Sequence, residues 1–294
     1  MKVLNFGSLN LDYVYSVDHM VTPGETLASD GMQIFCGGKG LNQSIALAKA
    51  GVEVYHAGMI GKEGKILLET CKKGRVKADY IKESSEKSGH TIIQVDKSGQ
   101  NCILLYGGAN RCITREYVDE VLSCFEKGDL LLLQNEINML DYIIDAAYAK
   151  GMMIILNPSP YDGALDVCDF HKISIFLLNE IEGGQITGEE ETEKILEKLK
   201  EMYPDAQAVL TLGGDGAVYQ YRDKQYRQGI FKVKTVDTTA AGDTFTGYFI
   251  SSVINGMPIK EGLALAAKAS AIAVSREGAT VSIPFKEEVL TAEL

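Results

Sequence analysis

Nowhere in this sequence do apolar side chains run for the roughly 18 consecutive positions that a membrane-spanning helix needs, and the opening residues 1–10 pass from a short apolar run straight into a turn. No membrane partner and no targeting segment are expected, and the chain reads as cytoplasmic. Cysteine is sparse and scattered. The six, Cys36, Cys71, Cys102, Cys112, Cys124 and Cys168, form no CxxC pair, and the four histidines show no HExxH spacing. Neither a zinc site nor a disulfide framework is signalled, so the cysteines are expected to be reduced packing residues. Positive charge is short as well: 29 Lys+Arg stand against 40 Asp+Glu, a formal net charge of −11. That balance argues against nucleic acid as a partner, because affinity for a polyphosphate backbone comes from clustered Lys and Arg. An acidic chain that binds phosphate must use local devices: backbone N–H groups, helix N-termini and a divalent cation. Three motifs are missing too. Without GxxxxGK[ST] there is no Walker loop, without GxGxxG after a strand no dinucleotide fingerprint, and without GxSxG no nucleophile elbow.

What is present is ordinary globular material, 294 residues with 46% hydrophobic and 23% charged. One domain over residues 1–294 fits, with a core burying roughly 75% of the unfolded surface. Residues 3–7 read as a buried strand, and β-rich stretches at 13–17 and 32–35 flank the turn Thr22-Pro23-Gly24. Gly37-Gly38-Lys39-Gly40 opens a helix in which Leu41, Ile45 and Ala48 keep helical spacing. Residues 89–95 and 101–106 form a hairpin candidate around Asp96-Lys97-Ser98-Gly99. A regular alternation follows: a helix at 114–126, a strand at 129–134, a helix at 139–150, then strands at 152–157 and 173–179. Ile195, Leu196, Leu199 and Met202 mark an amphipathic helix with a solvated acidic face. Strands at 208–213 and 216–221 flank Gly214-Asp215, and two helices start at Ala241 and near Pro258. Continuous apolar runs alternating with helices predict an α/β fold, a mostly parallel sheet covered on both faces. The early strands predict a second, small sheet.

Chemistry concentrates in three stretches. In Asp237-Thr238-Thr239-Ala240-Ala241-Gly242-Asp243, small residues sit where a helix begins, since Phe245, Phe249 and Val253 recur every fourth residue behind them. Unpaired N–H groups and the positive end of the helix dipole make that an anion hole, and Asp243 in the first turn is placed to take a proton from an attacking hydroxyl. The alternative is a first-turn acid with small neighbours that merely pack. Thr211-Leu212-Gly213-Gly214-Asp215-Gly216 ends an apolar strand, where α/β sheets gather ligands, although a plain Gly-Asp-Gly turn reads the same. Cys36-Gly37-Gly38-Lys39-Gly40-Leu41-Asn42 offers backbone amides, Lys39 and Asn42 to a polar ligand, or is simply a glycine-rich helix start.

In this order the motifs resemble the ribokinase, or PfkB, family of carbohydrate kinases. The likeness is carried by Gly7-Ser8-Leu9-Asn10-Leu11-Asp12, Pro23-Gly24-Glu25-Thr26, Gly37 to Gln43 and Gly108-Ala109-Asn110 in the first half. Asn157-Pro158-Ser159-Pro160, Asn179-Glu180-Ile181-Glu182, Thr211 to Gly216 and Asp237 to Phe245 carry it in the second. The resemblance implies a three-layer α/β/α sandwich with a small β-sheet lid, its strands within 12–35 and 89–107, through which such chains pair as homodimers. It implies transfer of the γ-phosphoryl group of ATP to a hydroxyl of a small sugar, ribose before other pentoses, ketoses, sugar acids or nucleosides. Asn10, Asp12, Gly38, Lys39, Asn42 and Glu136 would hold the sugar. Asn179, Leu212 and the rest of the Thr211 to Gly216 turn, with Gly242, would meet the nucleotide, and Glu182 would organise Mg²⁺ through water. Asp243 would be the base beside the N–H groups of Ala240, Ala241 and Gly242. A monovalent cation, K⁺, would sit at Asp237, Thr239, Ala273, Arg276, Gly278 and Ser282. Two departures stand out: Gly61-Lys62-Glu63-Gly64 shortens a sugar-side loop, and Ala267 replaces the usual Asn or His near the nucleoside. A non-catalytic sugar-binding protein would show loss of the base or of the anion-hole glycine, and both are kept. A dehydrogenase would need the missing dinucleotide fingerprint.

Overall fold

The computed structural model describes residues 1–294. In chain order come β1 (Val3–Phe6), β2 (Asn10–Ser16), β3 (Gly31–Gly37), α1 (Lys39–Lys49), β4 (Val54–Ile60), α2 (Lys65–Lys73), β5 (Lys77–Glu83), β6 (Gly89–Val95) and β7 (Asn101–Tyr106). Then follow α3 (Arg115–Leu122), β8 (Leu130–Gln134), α4 (Leu140–Ala149), β9 (Met153–Asn157), β10 (Ile175–Asn179), α5 (Glu180–Thr187), α6 (Thr192–Met202) and β11 (Gln207–Thr211). The chain closes with β12 (Ala217–Tyr221), β13 (Lys224–Gln228), α7 (Ala241–Ile254), α8 (Ile259–Val274) and α9 (Lys286–Thr291). No helix is long and apolar enough to cross a membrane.

Nine strands form one sheet in the order β13-β12-β11-β10-β9-β8-β1-β4-β5, parallel from β11 to β5 and closed by the antiparallel β12 and β13. Both faces are covered, which is why β8 reads Leu-Leu-Leu-Leu without alternation. Leu130 and Leu132 join the core with α1, α7 and α8, while Leu131 and Leu133 join the core with α3, α4 and α6. The small sheet runs β3-β2-β6-β7. Its strands reach beyond the expected windows, because β2 begins at Asn10 and β3 ends at Gly37.

Five elements carried no clear signal in the sequence: β5, β13, α2, α5 and α9. β5 and β13 are the two edges of the large sheet, so they pair on one side only and mix Lys, Asp, Arg and Gln with their apolar residues. A charged edge strand protects against sheet extension and hides the strand from pattern reading. α3 stops at Leu122, four residues short of the expected end, and a turn of backbone bonds carries the chain on to Phe125.

The contact that positions the site is between α1 and α7. A Cβ on Gly247 would lie 2.4 Å from the Ala46 Cβ and 2.8 Å from the backbone of Ala46 and Leu47, so the helices touch main chain to side chain. Gly247 lies one turn beyond Asp243, and Ala46 one turn beyond Asn42, so the close approach sets how near those side chains come. Gly247→Ala should therefore force the helices apart, costing about 1–3 kcal/mol by overpacking and lowering turnover. Urea unfolding together with kcat checks it; wild-type stability in the variant would contradict the tight contact.

Candidate active site

Strand order reverses beside β1: the chain leaves it for β4 and β5 on one side, then returns to its other side with β8. In such sheets the carboxyl ends at the reversal form a crevice. Ser8 follows β1 and Glu136 follows β8, and they meet there. The Ser8 hydroxyl donates to Glu136 Oε2, which also accepts the Lys39 N–H at 2.9 Å. Burial pushes the Glu136 carboxyl above its ordinary range, against the pull of the Lys39 ammonium and these two donors. For Lys39 burial acts to lower the pKa, yet the surrounding carboxylates of Asp243, Glu136 and Glu182 outweigh it and the net shift is upward. The ammonium is thus held charged in an acidic pocket.

Asp243 is 8% exposed and both of its oxygens are taken by amides from α1. Asn42 Nδ2 donates to Oδ2 and Gln43 Nε2 to Oδ1, each at 2.9 Å. Ala240 caps α7 with φ 59 and ψ 11, a left-handed conformation that strains an alanine. The bend turns the first N–H groups of α7 outward. Those of Gly242 and Asp243 bond to no backbone oxygen; that of Ala241 is spent on the Thr238 carbonyl at 3.2 Å, which removes it from the expected set of free donors.

Two cavities meet at this point, and a third adjoins Glu136. A groove of about 550 Å³ is lined by Thr211, Gly213, Gly214, Gly216, Ala267 and Phe245 among others. It shares Thr211, Thr238, Ala241 and Gly242 with a cavity of about 210 Å³ that also contains Lys39, Asn179 and Asp243. On the far side of the Lys39–Glu136 bond lies a third of about 420 Å³, lined by Asn10, Tyr106, Gly107, Asn110, Arg111 and Glu136. Asn110 Nδ2 donates to Asn10 Oδ1 at 2.7 Å, and its Oδ1 accepts the Leu9 N–H. Asp12 Oδ1 accepts from the Thr91 hydroxyl at 2.6 Å, and burial raises the Asp12 pKa more than that bond lowers it. Gly38 needs its φ of 92: a side chain there would fall 3.0 Å from Ser8 Oγ and 3.3 Å from Asn10.

Several expected residues spend polar groups on the fold itself. Leu212 is buried in the core and Asp215 is exposed, and neither lines the groove; their N–H groups close the turn on Gly216 and Leu212 carbonyls. Asn179 caps α5, its Oδ1 accepting from Ile181 and Glu182 N–H, while Glu182 Oε2 accepts the Asn179 N–H at 2.8 Å. This reciprocal box spends one oxygen of each side chain on the helix. Asp237 accepts from Thr239 N–H and hydroxyl through Oδ1 and from Gly278 N–H through Oδ2. That last bond joins the 237–239 and 273–282 segments. Ser282 and Arg276 point to other partners, Ser282 Oγ to the Ala279 carbonyl and Arg276 to Glu288, while the Ala273 carbonyl takes the Arg276 N–H. The altered loop packs on the base of the small sheet, with Glu63 accepting the Ser88 N–H.

The model of the pfkB family of carbohydrate kinases matches residues 1–286. The chain belongs to that family. It is 34% identical to the ribokinase of Haemophilus influenzae over 97% of this chain and 95% of the relative. Among solved structures it superposes on the ribokinase of Thermotoga maritima with a TM-score of 0.87 and 33% identity, covering 98% of each chain. The ribokinase of Arabidopsis thaliana, solved with ribose and ATP, gives a TM-score of 0.86 at 28% identity, over 98% of this chain and 97% of that one.

Reading the sequence passed over Ser8, Gln43, Thr91, Asn110 and Gln134. Each is polar and nearly or wholly buried, and three of them, Ser8, Gln43 and Asn110, lie inside quoted motifs. Gln134 ends an otherwise apolar strand, and a lone amide at a carboxyl end in a parallel sheet is the signal that marks it. For the family's phosphoryl transfer, Asp243→Asn should lower kcat about 10²- to 10⁴-fold, the usual contribution of a general base, and leave the KM for ATP within a few-fold. Initial rates at varied ATP measure both, and a kcat near wild type removes Asp243 as the base.

Proposed function

We propose that this chain is a ribokinase, transferring the γ-phosphoryl group of ATP to a hydroxyl of ribose. The observation that carries it is a buried carboxylate, Asp243, sitting between a glycine-lined groove and a polar cavity, beside free helix N–H groups and a held ammonium. ATP lies in the groove with its adenine against Ala267 and Ala271 and its phosphates along Gly213, Gly214 and Gly216. Ribose lies where the Lys39–Glu136 bond separates the cavity of Asp243 from that of Asn10, its hydroxyls met by Asn10, Asp12, Asn42, Lys39 and Glu136, a set that supplies both donors and acceptors. The small sheet closes over it. Asn42 Oδ1 is buried without a hydrogen-bond partner, so a sugar hydroxyl would satisfy it.

In the transfer, Lys39 and the Gly242 and Asp243 N–H groups meet the charge spreading over the transferring group, while Asp243 takes the proton of the attacking hydroxyl. Holding both reactants in line supplies much of the acceleration. Mg²⁺ would enter on the nucleotide phosphates, and the donor set fits it: Glu182 keeps Oε1 free of the capping box, suited to a metal-bound water. Its chemistry there is neutralisation of phosphate charge. K⁺ would sit beside Asp237, whose carboxyl is held below its ordinary range by the Thr239 and Gly278 donors against the opposing effect of burial. Backbone carbonyls of the joined segments would supply the other oxygens.

We further read the protein as a cytosolic homodimer. Ile34, Ile92 and Leu104 lie in register across the small sheet and are 46%, 40% and 67% exposed, an apolar row that a second lid would cover.

A panel of pentoses, hexoses and nucleosides scored by ADP release tests the reading. Ribose should lead, and a competitor favoured by more than about tenfold, or ~1.4 kcal/mol in transition-state binding, would overturn it. Repeating the ribose assay in K⁺ and in Na⁺ at constant ionic strength should show several-fold activation by K⁺, and equal rates would dismiss the cation site. Sedimentation of the assayed enzyme should give a dimer; a monomer would dismiss the lid interface.

A further inference from the structure

Behind Asp243 runs a chain of buried polar side chains that the transfer itself does not use. Gln43, which donates to Asp243, accepts at its Oε1 from Gln134 Nε2 at 2.7 Å. Gln134 Nε2 donates also to Asn5 Oδ1 at 3.0 Å, and Asn5 Nδ2 donates to the Gly40 carbonyl at 2.7 Å and to Ser44 Oγ at 2.8 Å. The Ser44 hydroxyl meets His56 Nδ1 at 2.8 Å, and His56 Nε2 meets the Gly7 carbonyl at 3.2 Å. Gln43, Gln134, Asn5, Ser44 and His56 are all 0% exposed.

The direction of this chain is forced. A backbone carbonyl can only accept, so Asn5 must turn its NH₂ to Gly40 and its oxygen to Gln134. Gln134 must then present NH₂, Gln43 must meet it with oxygen, and Gln43 is left with its NH₂ facing Asp243. At the other end the Gly7 carbonyl requires the proton on His56 Nε2, so Nδ1 accepts from Ser44. Burial lowers the His56 pKa to about 4, so the ring stays neutral at physiological pH. The direction has a cost. Gln134 Oε1 is buried with no donor, an orphan that turning this amide would relieve only by reversing every amide up to Asp243.

We infer that Gln43 and Gln134 are positioning residues for the base, forming a one-way amide relay that starts at the Gly40 carbonyl and presents a donor to Asp243. The inference rests on the kinase reading of the site. The relay fixes the Asp243 rotamer by holding one carboxylate oxygen from the side away from substrate. The other groups near Asp243 are Asn42 and Lys39 of α1 and Glu136 after β8, with Glu182 of α5 acting on the same Lys39. Of these, Lys39 alone is a cation, and it is shared with the other two carboxylates. Gln43 therefore supplies what a shared ammonium cannot, a donor with one allowed orientation.

The test is the pH dependence of kcat for Gln43→Glu, Gln43→Met and Gln134→Met, each normalised to the wild type with the sugar that the wild type uses best. That normalisation keeps a wrong substrate separate from a wrong relay. Gln43→Glu should keep most of the wild-type rate at low pH, where its protonated carboxyl still donates to Asp243. It should lose about tenfold or more as pH rises and two carboxylates face each other. Gln43→Met should lose about tenfold at every pH, with the KM for ATP within about threefold of wild type. Gln134→Met should repeat that loss in weaker form, although it touches neither substrate nor Asp243. If Gln43→Glu fails to fold, the two Met variants decide. Folded variants with kcat within about twofold of wild type overturn the relay, as do losses in Gln43→Glu that do not vary with pH.

Discussion

A carboxylate that is 8% exposed has to find donors for its oxygens inside the protein, because a buried acceptor left unpaired is costly. Asp243 meets that demand through Asn42 and Gln43, so α1 and α7 have to lie close enough for short amides to bridge them. Gly247 against Ala46 provides the approach. Gly7 and Gly40 provide the next one, where a Cβ on either would strike the other's backbone or that of Ser8. Those glycines let the start of α1 press on the end of β1, and this brings Lys39 beside Glu136. One electrostatic demand thus accounts for the packing of the two central helices and for where small residues are required.

The same economy resolves the conflict between a net charge of −11 and an anionic ligand. Around Lys39 three carboxylates, Asp243, Glu136 and Glu182, surround one ammonium, so the charge there does not favour phosphate. What remains is directional: free N–H groups at the start of α7, turned outward by the strained Ala240, and glycines along the groove whose backbone can approach an oxygen. Such dipoles act within a turn's length and leave the field of the rest of the protein unchanged.

Much of this was legible in the sequence. Apolar runs such as Leu130–Leu133 announced a sheet covered on both faces, and the Ala240 to Asp243 stretch announced a helix N-terminus with an acid in its first turn. The edge strands β5 and β13 were not legible, because one-sided pairing leaves no apolar signature. Leu212 and Asp215 belong to the nucleotide turn by their place in a motif; in the structure Leu212 is buried and Asp215 exposed, and the groove is lined instead by Thr211, Gly213, Gly214 and Gly216. Asn179 and Glu182 are expected from the sequence only as ligands, and the structure shows in addition a capping box that takes one oxygen from each. The amide relay was invisible for another reason: Asn5, Gln43 and Gln134 are over 30 positions apart in sequence or more, and nothing local reveals that their side chains share one chain of donors.

The central claim is that Gln43 acts on the reaction through Asp243 and by no other route. A double-mutant cycle on kcat, using Asp243→Asn, Gln43→Met and the pair together, measures this directly. If the claim holds, Gln43→Met has no further effect once Asp243 is an amide, and the double variant turns over at the rate of Asp243→Asn alone. Losses that multiply in the double variant would mean that Gln43 serves the reaction independently of the carboxylate, and the account would fail.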